Sequence, residues 1–128
     1  MSYVALVTLL LLIEYMYFTG QAGMARGKAG IKAPAMTGDE TFERALRVQV
    51  NTLEQLIITI PAMWICANYF RADVAAILGA IFFLGRLVYR SAYMKDPTTR
   101  VSGMVTGFLA NIVLILSAGW GVLANLLG

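Results

Sequence analysis

Four apolar stretches, each long enough to cross a bilayer as a helix, take up most of this 128-residue chain. The last is the plainest, because no charged side chain occurs from Val101 to the final residue. A helix rises about 1.5 Å per residue, so about 20 apolar residues span a hydrocarbon core roughly 30 Å thick. The composition agrees: 59% of residues are hydrophobic, 13% are charged, and the mean hydropathy is +0.73. A soluble domain of this size needs more polar surface than that. The chain therefore reads as an all-α integral membrane protein, a four-transmembrane-helix up-down bundle in one domain over 1–128.

Local signals place the helices at about 3–25, 41–70, 74–93 and 97–127. The first lacks a positive n-region, which favours a retained span over a cleaved signal peptide. Residues 27–40 carry glycines, Pro34 and Asp39-Glu40, and read as a loop. Pro61 falls inside the second helix, where it removes one backbone bond and is expected to kink it. Arg71-Ala72-Asp73 makes a short connection. Asp96-Pro97 reads as an N-cap with proline at the first helical position. Gly103 and Gly107 form a GxxxG spacing that permits close helix contact.

The net charge is +3, but its distribution points to a membrane and not to nucleic acid. Arg26, Lys28, Lys32, Arg44 and Arg47 lie between the first two apolar runs, and Arg86, Arg90, Lys95 and Arg100 between the last two. Only Arg71 lies between the second and third. By the positive-inside rule both basic connections face the cytoplasm and both termini lie opposite it. Cys66 is the sole cysteine, so no intrachain disulfide forms. The chain has no histidine, which excludes a Ser-His-Asp triad and, with a single cysteine, argues against a structural zinc site or a histidine-ligated haem.

Chemistry concentrates on two helix faces. Arg47, Asn51 and Glu54 fall at i, i+4 and i+7 where the second helix enters its apolar portion. Arg86, Tyr89 and Tyr93 fall at i, i+3 and i+7 near the end of the third, with Arg90 beside them and Arg100 early in the fourth. A charge near the bilayer centre costs roughly 2.5–3.5 kcal/mol on insertion scales, so these groups call for a partner or a ligand. Several arginines, two phenols, amides and one carboxylate suit a zwitterionic, net-anionic peptide-like ligand. A structural Arg86–Glu54 ion pair is the plain alternative, and Arg90 and Lys95 fit an interfacial anchor belt. Glu14, mid-span in the first helix, reads as a hydrogen-bonded packing residue or as a proton-coupling carboxylate.

Residues 42–54, together with the spacing of Arg86, Tyr89, Tyr93 and Arg100, resemble the MAPEG family, the membrane-associated proteins in eicosanoid and glutathione metabolism. The resemblance covers nearly the whole chain and extends to the leukotriene-C synthase branch. It implies a homotrimer that binds glutathione as co-substrate between subunits near the cytoplasmic face. It implies that Arg47 and Asn51 hold a glutathione carboxylate and that Glu54 helps hold the peptide. It further implies that Arg26 and Gln49 act from across the subunit interface, that Arg86, Tyr89 and Tyr93 complete the pocket, and that Arg100 stabilises the thiolate. Gln49 lies about 200° around the helix from Arg47, consistent with a different neighbour. Gln55 stands where the leukotriene-C branch has a tyrosine, and Gly27 where it has a second arginine.

The leading expectation is a glutathione transferase acting on hydrophobic electrophiles from the bilayer, with lipid-hydroperoxide peroxidase activity beside it. No metal takes part. Two alternatives stay open. A single acid in the first of four helices is similar to the small multidrug-resistance transporters, making Glu14 a proton carrier. A non-catalytic scaffold would keep the polar faces as structural pairs. The source membrane, bacterial inner membrane or endoplasmic reticulum, is left open.

Overall fold

The computed structural model describes residues 1–96, 98 and 101–128, side chains at 101 and 102 excepted. Its helices are α1 (Ser2–Ala29), α2 (Glu40–Tyr69), α3 (Ala72–Lys95) and α4 (Val101–Leu127). All four are long and apolar enough to cross a membrane. Consecutive helices pack together, α2 and α3 form the centre, and α1 and α4 each pack against both. Short connections between packed neighbours give the up-down order.

The helix ends have local causes. α1 continues through Arg26 and Gly27, past the expected end near 25, and stops at Gly30 with φ 69. A glycine inside a helix costs only about 1 kcal/mol, whereas the left-handed conformation at a C-cap is nearly reserved for it. Asp39 caps α2 by accepting from the Phe42 N–H at 2.9 Å, while the Glu43 carboxylate accepts from the Gly38 N–H at 3.1 Å. That reciprocal arrangement resembles a capping box, shifted by one residue on one side. α2 then runs unbroken through Pro61. α3 begins two residues earlier and ends two later than its apolar run indicates. Arg44 explains the far end, since its guanidinium donates to the carbonyls of Met94 and Lys95. Asp96 accepts from the backbone N–H and the hydroxyl of Thr98, at 3.0 and 2.9 Å. Those donors hold its carboxyl below the usual carboxylate range. Pro97, the other half of the expected capping pair, lies outside the described residues, as does the start of the fourth helix expected at 97.

The interior divides into two apolar clusters. The larger joins all four helices and includes Leu11, Leu56, Phe82 and Leu114. The smaller, nearer the basic end, joins Phe18, Val48 and Tyr89, with Tyr93 against it. α4 reaches this bundle through glycine: a Cβ at Gly103 would lie 2.5 Å from the Tyr89 backbone nitrogen. The outward faces carry exposed Ile57, Leu84, Phe108 and Leu116, as a lipid-facing surface requires.

Candidate functional site

The C-terminal turns of α1 and α3 and the N-terminal turns of α2 meet at one end, which holds most of the charge. Arg44 pairs with Glu40 on α2 and ties that helix to the end of α3. Arg90 donates to Gln21 of α1 at 3.3 Å and lies over the Tyr17 ring. These two arginines are structural ties between helices. Arg26, in the last turns of α1, donates to the Ala35 carbonyl at 2.7 Å and covers the Phe42 ring at 4.5 Å. It thereby pins the α1–α2 connection over the start of α2.

Two grooves flank the outer face of α2. One, of about 540 Å³, is lined by Asp39, Glu43, Arg44, Arg47 and Tyr93 among others. The second, of about 220 Å³, lies deeper, where Asn51, Gln55 and Arg86 face Met104, Val105 and Phe108 of α4. Arg47 and Glu54 are exposed on this face, and among the described residues neither enters an ion pair. The Arg86–Glu54 pair entertained from sequence therefore does not form. Gln49 is half-buried and lines neither groove.

Arg86 turns inward instead. It is 1% exposed, and its guanidinium donates to the Asn51 side-chain oxygen at 2.8 Å and the Thr52 hydroxyl at 3.0 Å. Its charge sits 4.1 Å from the centre of the Tyr89 ring, a cation–π contact, and Tyr89 stacks on Tyr93 at 5.6 Å. Because Arg86 occupies the Asn51 oxygen, the Asn51 NH₂ group is left to serve an acceptor in the groove. The structure thus joins Asn51, Arg86, Tyr89 and Tyr93 in one continuous array beside Arg47. Arg26 stands apart from that array within one chain, and Arg100 lies outside the described residues.

Sequence reading missed a second polar bridge. Thr59, fully buried on α2, donates to the Asn111 side-chain oxygen at 2.6 Å, and the Asn111 amide donates to Gln55 at 3.1 Å. The available signal was an amide in the middle of the charge-free fourth helix, where burial demands a partner. The bridge fixes Gln55 at the polar edge of the 220 Å³ groove. Asn111→Leu is expected to lower stability by about 1 kcal/mol, typical of interhelical hydrogen bonds in membranes. Thermal unfolding in detergent measures it.

The described residues contain no cluster of three metal-ligating side chains. What remains is a polytopic helical membrane protein whose polar array and paired grooves lie along one helix face. A family model described as the MAPEG family matches residues 4–120. An uncharacterised protein of Synechocystis is 42% identical, over 95% of this chain and 89% of its own length. Human microsomal glutathione S-transferase 2 is 34% identical, over 90% of this chain and 80% of its own. Bovine leukotriene C4 synthase is 31% identical, over 96% and 82%. The chain belongs to the MAPEG family.

Proposed function

We propose that this protein is a glutathione-dependent membrane transferase. The observation that carries the reading is the outer face of α2. There Arg47 and Glu54 are in no ion pair among the described residues, beside an Asn51 already oriented by Arg86. A cation, an amide donor and a carboxylate on one face match a peptide that has two carboxylates and one ammonium. Relatives named as glutathione S-transferase and leukotriene C4 synthase support the same ligand.

In this reading Arg47 and the Asn51 amide bind a glutathione carboxylate and Glu54 accepts from its ammonium. Arg86, Tyr89 and Tyr93 shape the wall behind it. A homotrimer places Arg26 and Gln49 of one subunit against the site of the next, which gives Gln49 a role although it lines neither groove. Arg100 stabilises the thiolate once the thiol proton has passed to water. The sulfur then attacks an electrophilic carbon, forming an S–C bond as the leaving group departs or a strained ring opens. With a lipid hydroperoxide the thiolate breaks the O–O bond and releases an alcohol. The oxidised sulfur is then reduced by a second glutathione, giving the disulfide and water. Met104, Val105 and Phe108 offer an apolar approach from the lipid for either substrate. The basic end faces the cytoplasm, following the charge asymmetry.

Binding tests the reading directly. Purified protein in detergent is expected to take up glutathione saturably and to unfold at a higher temperature when it does. At a hundredfold excess over the dissociation constant the stabilisation is about 2.7 kcal/mol. No binding and no thermal shift would remove the proposal and favour a scaffold whose polar face is structural.

A further inference from the structure

The two apolar clusters are separated by a single polar layer. On α1, Glu14 sits between Leu11 of the larger cluster and Phe18 of the smaller. On α2, Thr52 sits between Val48 and Leu56, and on α3, Arg86 sits between Phe82 and Tyr89, in the same relation to the same clusters. Three buried polar residues from three packed helices therefore share one level, with Glu14 4% exposed, Thr52 0% and Arg86 1%. α4 contributes Gly107 here, whose Cβ position lies 4.0 Å from the Arg86 side chain.

Within this layer one half of the hydrogen bonding is complete and the other half is open. Arg86 is matched toward α2 by Asn51 and Thr52. Its Nε is buried with no hydrogen-bond partner among the described residues, and so are both oxygens of Glu14. The two groups act on each other electrostatically, yet no direct ion pair joins them. A buried guanidinium and a buried carboxyl group, each with open hydrogen-bonding positions and sealed between the same two clusters, have each other as the obvious compensation.

We infer that Glu14 is the counter-charge of Arg86 and, through it, a positioning residue for Asn51 in the proposed ligand site. The layer works as a relay of fixed orientations. The carboxylate on α1 holds the guanidinium on α3 inside the bundle, and the guanidinium holds the amide on α2 with its N–H groups toward the groove. Without Glu14, Arg86 is a buried charge with an open groove beside it, and turning into that groove releases Asn51. Glu14 needs no contact with ligand and no proton exchange across the membrane to do this.

The positioning role rests on the glutathione reading, but the pairing does not, and a stability cycle in detergent tests the pairing without ligand. Glu14→Leu and Arg86→Leu are each expected to lower the unfolding temperature. The double variant Glu14→Leu/Arg86→Leu is expected to regain most of the loss, because it leaves neither charge stranded. Folded protein recovered from the double variant alone would report the same coupling. Strictly additive losses would overturn the pairing. In the conjugation assay Glu14→Gln is expected to raise the KM for glutathione about tenfold at nearly unchanged kcat, and Glu14→Asp to restore most of it. Coupled stabilities with an unchanged KM would overturn the positioning role while leaving glutathione binding intact. Absence of any glutathione binding in the wild type, with the coupling present, would instead remove the functional reading and the positioning role with it.

Discussion

Alanine at position 103 is expected to destabilise the bundle by about 2–3 kcal/mol, while alanine at 107 is expected to be nearly silent. The two glycines share a GxxxG spacing but not an environment. A Cβ at 103 would lie 2.5 Å from the Tyr89 nitrogen, 2.7 Å from its Cα and 2.9 Å from the Gly85 carbonyl oxygen. All three are backbone atoms of α3, so no side-chain rotation relieves the clash and the helices must part. A Cβ at 107 would meet the Phe82 ring at 3.4 Å, an ordinary contact distance. Parting α3 from α4 at 103 displaces the segment beside Tyr89, and position 100 lies three residues earlier in the chain. Glutathione affinity should therefore fall with stability in Gly103→Ala and hold in Gly107→Ala. Paired unfolding and binding measurements check both. Equal effects at 103 and 107 would contradict this packing.

Arg100→Ala is expected to abolish most of the glutathione thiolate while sparing much of the binding. A free thiol titrates near ~8.5, which leaves only about 3% thiolate at pH 7. A neighbouring cation that lowers this by about two units favours the thiolate by about 2.7 kcal/mol. The thiolate then makes up roughly three quarters of the bound ligand at pH 7. Removing Arg100 returns it to a few per cent, with recovery as the pH rises toward the unperturbed value. Turnover should fall less steeply than the thiolate. A more basic thiolate is a better nucleophile, by roughly half a log unit or less per pKa unit. Arg47→Ala should show the opposite balance, with weaker binding and a smaller change in the thiolate fraction of whatever still binds. Rapid-mixing spectra of both variants across pH separate these outcomes. A full thiolate signal in Arg100→Ala would exclude that residue from the role.

The bundle was legible because lipid imposes length and apolarity on each helix, and those are properties of single segments. The α2 face was legible for a related reason: Arg47, Asn51 and Glu54 share a helical period, and charge at a membrane mouth is conspicuous. Partner choice was much less so. Arg86 and Glu54 had the sequence credentials of an ion pair, yet Arg86 points to Asn51 and Thr52 while Glu54 faces outward. Which way a long side chain turns is set by packing, here by Phe82, Tyr89 and Gly107 around it. Thr52 drew no notice because threonine is common in membrane helices and its burial depends on three other helices. Thr59 and Asn111 were overlooked for the same reason, being 52 residues apart and meeting only once α2 and α4 pack. The sequence sets the end of the first helix near 25, just short of Arg26, because Gly27 and Gly30 look alike there, and only backbone geometry distinguishes the one inside the helix from the one that ends it.

The proposed function turns on glutathione being bound and held as a thiolate. The most direct measurement is the ultraviolet difference spectrum of the purified protein titrated with glutathione at pH 7. A saturable thiolate band that disappears when the thiol is replaced by a hydroxyl, or when an S-alkylated glutathione is used, is the result predicted here. A protein that binds glutathione with no thiolate band, or does not bind it at all, would contradict the account.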